Sequence, residues 1–262
     1  MNVDVERRFG GVKRLYGDIG FAKLRNAHVV VIGIGGVGSW AAEALARNAV
    51  GELTLIDLDN IAESNVNRQI HAVDGNYGKA KVTAMHERIL AINPGCTVHE
   101  IEDFVTTDNI NTILNFDCDI MLDCTDSTYA KMAMAHYCRL KKLPLMMSGS
   151  AGGRLDPARI KVADLSVAFG DMLLSKVRKQ LRQDYHFPKA PDMEKRPLKK
   201  PKKFDVQCVY SDELVTTPAA ACDVNESDSI TGLNCAGFGS NVTITATMGF
   251  AIAQLALNKL TA

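Results

Sequence analysis

Along the first 150 positions, short and nearly continuous apolar runs alternate with longer runs in which apolar residues recur every three or four positions. The short runs are His28–Gly33, Leu53–Asp57, Thr97–Ile101, Asp119–Cys124 and Leu145–Ser148. Rich in Val, Ile and Leu, they predict strands buried on both faces. The longer runs predict helices over Val37–Asn48, Lys79–Ile92, Asp108–Leu114 and Ser127–Leu140, and the Pro and Gly of Ile92–Gly95 stop the second of these. Strand and helix alternating at this spacing predict an α/β fold: a doubly wound, mostly parallel Rossmann-like sheet with helices on both faces.

The pattern changes after "SGSAGGRLDP", Ser148 to Pro157. "ARIKVADLS" predicts one more strand and "GDMLLSKVRKQLRQDY" an amphipathic helix whose end is basic. From His186 to Lys203 there are four prolines, each of which removes a backbone donor, so this stretch reads as a mobile surface loop. The expected organisation is a core with an N-terminal arm over residues 1–157. A C-terminal extension of the same domain, over 158–262, carries the loop at about 186–203. No internal repeat is visible.

Composition narrows the function classes. A chain of 262 residues, 47% of them hydrophobic, can bury a large core. Its formal net charge is zero, which excludes a global field drawing it to nucleic acid or anionic lipid and leaves only local patches. One such patch lies in the loop, where Lys189, Lys195, Arg196, Lys199, Lys200, Lys202 and Lys203 face only Asp192 and Glu194. It is either a solvated loop or a clamp for a polyanion. The seven cysteines are odd in number and include no CxxC pair, and the start "MNVDVERRFGG" is charged, so the expectation is a reduced, cytoplasmic protein with thiols and no zinc. The one stretch resembling a membrane span, Asn241–Leu260, is interrupted by Thr243, Thr245, Thr247, Gln254 and Asn258. It reads as a buried helix at a core or subunit interface rather than a span.

The chemistry begins in "GIGGVGS". Gly33, Gly35 and Gly38 follow a predicted strand and precede a predicted helix, the context in which a glycine turn holds phosphate on helix N–H groups. Asp57, at the end of the second strand, is placed to accept bonds from ribose hydroxyls. That much fits NAD as well as ATP. The following stretch adds Asp59, Asn65, Arg68, Gln69, Lys79 and Lys81, and "LDCTDS" puts Asp123 and Asp126 at the rim of the fourth strand. Hydride transfer has no obvious use for an Arg and a Lys thirteen apart beside the nucleotide. Attack on the α-phosphorus of ATP does, because charge accumulates on the phosphoryl oxygens and a carboxylate is needed for the bridging metal.

Taken together, "GIGGVGS", "LTLIDLDNIAESNVNRQ", "GKAKV" and "DCTDS" resemble the adenylating domain shared by ubiquitin-activating enzymes and the bacterial activators of molybdopterin and thiamine sulfur carriers. Within that superfamily, "RRFGGVKRLYG", "NRQIHA", "SGSAGGRLDP" and "CAGFGS" are similar to the bacterial tRNA threonylcarbamoyladenosine dehydratases, over nearly the whole chain. The resemblance implies that Gly33, Gly35, Gly36 and Gly38, with Asp57 and Asp59, cradle ATP. It implies that Asn65, Arg68, Gln69 and Lys81 address the phosphates and that Asp126 holds Mg²⁺ or orients the α-phosphate. It also implies a homodimer in which an N-terminal arginine crosses into the neighbouring site, Arg8 first and Arg14 second. Arg8, Arg68, Lys81 and Asp126 are then the expected catalytic set. The implied substrate is tRNA carrying threonylcarbamoyladenosine, with a protein of a cysteine-desulfurase system as a further partner. The resemblance leaves a second reading open, an activator of a ubiquitin-like or sulfur-carrier C-terminus, which uses the same adenylation. Among Cys208, Cys222 and Cys235, where such activators carry a nucleophile, Cys235 is the candidate reactive thiol.

Overall fold

The computed structural model describes residues 4–189, 201–216 and 238–262. Seven strands, β1 (His28–Ile32), β2 (Glu52–Ile56), β3 (Thr97–Ile101), β4 (Ile120–Asp123), β5 (Leu145–Ser148), β6 (Ile160–Asp164) and β7 (Val206–Ser211), make one sheet in the order β3-β2-β1-β4-β5-β7-β6. Every neighbouring pair is parallel except β6 and β7. The helices are α1 (Val5–Asn26), α2 (Gly38–Arg47), α3 (Lys81–Ile92), α4 (Ile110–Ile113), α5 (Thr128–Lys141), α6 (Met172–Asp184) and α7 (Val242–Thr261).

Alternation along the strands divides the core in two. Val29, Val31, Leu53, Leu55, Ile120 and Leu122 face a layer built from α1, α2, α3 and α7. Val30, Ile32, Ile56 and Met121 face the layer of α4, α5 and α6. The sheet is therefore doubly wound, and its strand order reverses between β1 and β4, where such sheets open a ligand crevice. Register puts Ile32 level with both Ile56 and Asp123, so the chain leaves β1, β2 and β4 side by side at Gly33, Asp57 and Cys124.

Four features differ from the sequence expectation. The run Thr97–Ile101 forms β3 but is not buried on both faces, because it is the edge strand and carries charge. His99 bonds Glu52 at 2.8 Å, and Glu100 holds Thr83 and His86, the kind of polar edge that resists pairing with another chain. The helix expected over Asp108–Leu114 is a single turn. Beyond an N-terminal arm no helix was expected, yet α1 has 22 residues. Four glycines within it (Gly10, Gly11, Gly17 and Gly20) mask its periodicity, and Gly17, at φ 70°, kinks it. Strand β7 was also missed; it pairs β5 and β6, so residues beyond 157 extend the sheet of the first 157.

α7 covers Asn241–Leu260 almost fully and packs along α2, with contacts to α1. A Cβ at Gly249 would stand 2.6 Å from the Val37 carbonyl oxygen, so only glycine lets the two helices come this close. Among the described residues no helix is long and apolar enough to cross a membrane. The expected loop over His186–Lys203 is described only at its two ends, and the remainder lies outside the described residues.

Candidate active site

The turn from β1 into α2 closes because its glycines lack side chains. Gly33 has φ 84°, and a Cβ there would be 2.9 Å from the Cys124 carbonyl carbon; one on Gly38 would be 1.8 Å from the Gly33 oxygen. Among the described residues, the N–H groups of Gly35, Gly36 and Val37 donate to no backbone or side-chain acceptor, and Val37 begins α2 without a side-chain cap. Unpartnered N–H groups at the positive end of a helix form an anion cradle.

Asp57 stands beneath this turn. Its Oδ2 accepts the Ile34 N–H at 2.6 Å and its Oδ1 accepts the Asp59 N–H at 2.9 Å, which fixes the carboxylate plane. Burial pushes its pKa up, against the opposing pull of the Lys81 ammonium and the two N–H donors. Lys81 is buried, with Nζ 2.6 Å from Asp59 Oδ2 and 3.8 Å from Asp57 Oδ1. Its placement is local in origin. The turn at Gly78, with φ 81°, donates its N–H to the Ile61 oxygen, the Ile61 N–H donates to the Lys79 oxygen, Ala80 bridges Asn60, and α3 therefore starts at Lys81 rather than at Lys79. The first residue of α3 then points into the crevice.

Arg68 and Gln69 come from the turn after Glu63–Asn65. Asn65 is buried, its side-chain oxygen accepting the Ala62 N–H at 3.1 Å, so it pins the turn. Arg68 is half-buried, its side chain passing within 3.4 Å of where a Gly36 Cβ would be. One guanidinium nitrogen donates to the Ser64 oxygen at 2.7 Å and to Asn67 Oδ1 at 2.9 Å, and burial lowers its pKa. The Arg68 carbonyl accepts the Trp40 indole N–H at 3.0 Å and the Thr245 hydroxyl at 3.3 Å, tying the loop to α2 and α7. Gln69 Nε2 lies 4.0 Å from a Gly35 Cβ position, and its Oε1 is buried without a partner.

The two acidic residues of "LDCTDS" separate. Asp126 is exposed on the loop between β4 and α5, and its side chain makes no hydrogen bond among the described residues. Asp123, expected at the rim, is instead fully buried and paired with buried Lys131 at 3.1 Å. It is the last residue of β4 and points into the α5 layer, which one-dimensional spacing could not reveal. Arg8 is not brought to the pocket of its own chain: it donates to the Ala91 and Ile92 oxygens, at 3.3 and 2.7 Å, at the far end of α3. Arg14 is exposed on α1.

Cys208 is fully buried and burial drives its thiol far above the usual range, so it is no nucleophile. Cys124, beside the glycine turn, is pushed up to about 12 by burial. Cys222 and Cys235 lie outside the described residues. On α6, Arg178 and Arg182 donate to backbone oxygens of Leu165, Ala168 and Pro188, and Arg182 also stacks on Phe204. Lys176 and Lys179 are exposed, with no ion pair among the described residues. Sequence reasoning missed Trp40, Lys131 and Thr245, whose roles depend on which elements pack together. Only the small-residue pattern of α7 hinted at such contacts. Buried His71, with neither ring nitrogen bonded, was also passed over.

A doubly wound sheet that opens a glycine cradle at its switch point, with a buried lysine and a half-buried arginine on the loops beside it, has the form of a nucleotide-binding enzyme of the adenylating type. The sequence model of the ThiF family matches residues 11–262, and the chain belongs to that family. The chain is 43% identical to the tRNA threonylcarbamoyladenosine dehydratase of Haemophilus influenzae over 256 residues, covering 97% of this chain and 94% of that protein. It is 41% identical to the enzyme of the same name from Escherichia coli, covering 98% and 94%. The crystal structure of E. coli tRNA N6-threonylcarbamoyladenosine dehydratase in complex with ATP is similar with a TM-score of 0.85 at 40% identity, over 99% of this chain and 96% of that one.

Proposed function

We propose that this protein is an ATP-dependent tRNA threonylcarbamoyladenosine dehydratase. Likeness over nearly the full length to enzymes of that name supports the substrate, and a relative crystallised with ATP supports the nucleotide. The observation that carries the reading is the Gly33–Gly38 cradle with Lys81 buried beside Asp57 and the Arg68 stem passing Gly36; Asp126, exposed on the loop after β4, is assigned to the same site.

The carboxylate of the threonyl group attacks the α-phosphorus of ATP. An O–P bond forms, the bond to the pyrophosphate oxygen breaks, and pyrophosphate leaves. A nucleophile within the same modified nucleoside then attacks the activated carbonyl and expels AMP. The nucleoside loses one water in sum. The second step is intramolecular and needs no enzyme thiol, in keeping with the buried, high-pKa Cys208. Arg68 and Lys81 balance the charge that builds on the phosphoryl oxygens, while Asp57 receives the ribose hydroxyls on a carboxylate already oriented by two N–H groups.

Mg²⁺ suits this site, because one exposed carboxylate together with phosphate oxygens is how this ion is commonly held, and Asp126 offers that carboxylate. Bound there, it would neutralise phosphate charge. The protein works as a homodimer in the cytoplasm. In support of the dimer, α1 exposes Leu15 and Ile19 at 75% and 78%, an apolar pair suited to a subunit interface. Arg8 lies about 16 Å along α3 from Lys81 in its own chain, and Arg8 of the partner subunit completes the site. Lys176, Lys179 and the basic stretch Lys189–Lys203 contact tRNA phosphates.

The test is AMP release from ATP in the presence of tRNA carrying the modification. Arg68→Ala and Asp126→Ala should each lower the rate by roughly 10²–10³ with unchanged thermal unfolding. Wild-type turnover by either variant removes that residue from the mechanism.

A further inference from the structure

We propose that Lys131, acting through Asp123, is the positioning residue that fixes Asp126 for its work on the nucleotide. The proposal rests on the reading that Asp126 serves the ATP site. Both partners of the Lys131–Asp123 pair are fully buried, one turn into α5 and at the end of β4. An ion pair at such depth contributes little net stability compared with apolar residues of equal volume. Its geometry suits another use.

Asp123 Oδ1 is a hub. It accepts the Lys131 ammonium at 3.1 Å, the Thr125 N–H at 3.1 Å and the Thr125 hydroxyl at 2.8 Å. Thr125 is thereby held by both backbone and side chain, directly before Asp126. On the other flank, the Lys131 backbone N–H donates to the Ser127 oxygen at 3.0 Å, and Ser127 Oγ caps α5 through the Ala130 N–H. The Ser127 side is thus held by the first turn of α5 whatever side chain stands at 131, and the Lys131 ammonium acts on the other side, through Asp123 and Thr125. The glycine turn abuts the same segment, since a Cβ on Gly33 would lie 3.0 Å from the Thr125 nitrogen. The Asp126 carboxylate stays exposed, on a backbone fixed relative to the phosphate cradle.

The experiment compares Thr125→Val, Thr125→Ser, Lys131→Met and Asp126→Asn. Steady-state AMP formation is one readout. The other is the Mg²⁺ concentration needed for ATP binding, followed by fluorescence of Trp40, the single tryptophan, which is bonded to the Arg68 carbonyl. Thr125→Val and Lys131→Met should lower kcat by roughly tenfold to a hundredfold, the effect of a small misplacement. Both should leave the KM for ATP near the wild-type value and raise the Mg²⁺ midpoint, while Thr125→Ser retains rate and midpoint. A packing role alone would lower the thermal midpoint without moving the Mg²⁺ requirement, and that result overturns the proposal. So does wild-type kcat in Thr125→Val when Asp126→Asn is inactive; Asp126 then keeps its role without this support. If Asp126→Asn turns over at the wild-type rate, the reading of the site fails first and the proposal with it. Should Lys131→Met not fold, Thr125→Val, which is nearly isosteric, decides alone.

Discussion

At Lys81 the chain ends a short extended pairing and begins a helix in consecutive positions, so an ammonium that spacing alone would leave on a solvated helix face is instead buried between Asp57 and Asp59. Lys81→Met should therefore lower kcat for AMP formation by about 10² or more with a small change in unfolding temperature, measured by steady-state kinetics beside a thermal scan. His71 gives a pH prediction of a different kind. Burial, with Lys81 and Arg88 nearby, lowers its pKa from 6.5 to about 4. The unfolded chain then binds a proton that the folded chain refuses, so the contribution of His71 is intact above pH 6.5 and is lost as pH falls towards 4. The loss is on the order of 3 kcal/mol. Denaturant titrations of wild type and His71→Leu across this window should show the wild type losing that much more stability than the variant; parallel curves would contradict it. Neither the buried state of Lys81 nor that of His71 could be read from sequence, because each depends on which loops fold back over it. The glycines and Asp57 were legible as candidates because one β1–α2–β2 crossover ties their spacing, and Lys81 because it stands in the GKAK run that follows.

Helix α7 joins the crevice to the rest of the fold. Its Thr245 reaches the Arg68 carbonyl, and the Thr245 methyl lies 3.0 Å from where a Gly36 Cβ would be. Gly249→Val would force a side chain against the Val37 oxygen and separate α7 from α2. It should cost about 2–3 kcal/mol by overpacking and weaken ATP binding, both measurable by thermal unfolding with and without nucleotide. The parallel strands were legible because each is an apolar run bounded by polar turns. β7 was not: "VQCVYS" follows a proline-rich, basic stretch and acquires its meaning only from pairing with β5 on one side and β6 on the other. The buried α5 residue Lys131 was hidden for the same reason, since nothing in "TYAKMAMAHYCRLK" says that this one cation faces the sheet.

Over the whole molecule, a formal charge of zero leaves tRNA affinity to local cations. Replacing Lys199, Lys200, Lys202 and Lys203 with Gln should weaken tRNA binding and flatten its logarithmic salt dependence by about 0.7–0.9 for each phosphate that is no longer neutralised, as read by filter binding over a salt series. An unchanged slope would leave that stretch a spacer. In the proposed function, the fold, the glycine cradle and the flanking charges serve to place a carboxylate of a modified nucleoside against the α-phosphorus of ATP. Mass analysis of nucleosides from tRNA incubated with the purified protein and ATP tests this most directly. Threonylcarbamoyladenosine should be converted to a product lighter by one water, with one AMP formed per nucleoside changed. Full retention of the starting mass by folded protein that binds ATP would contradict it.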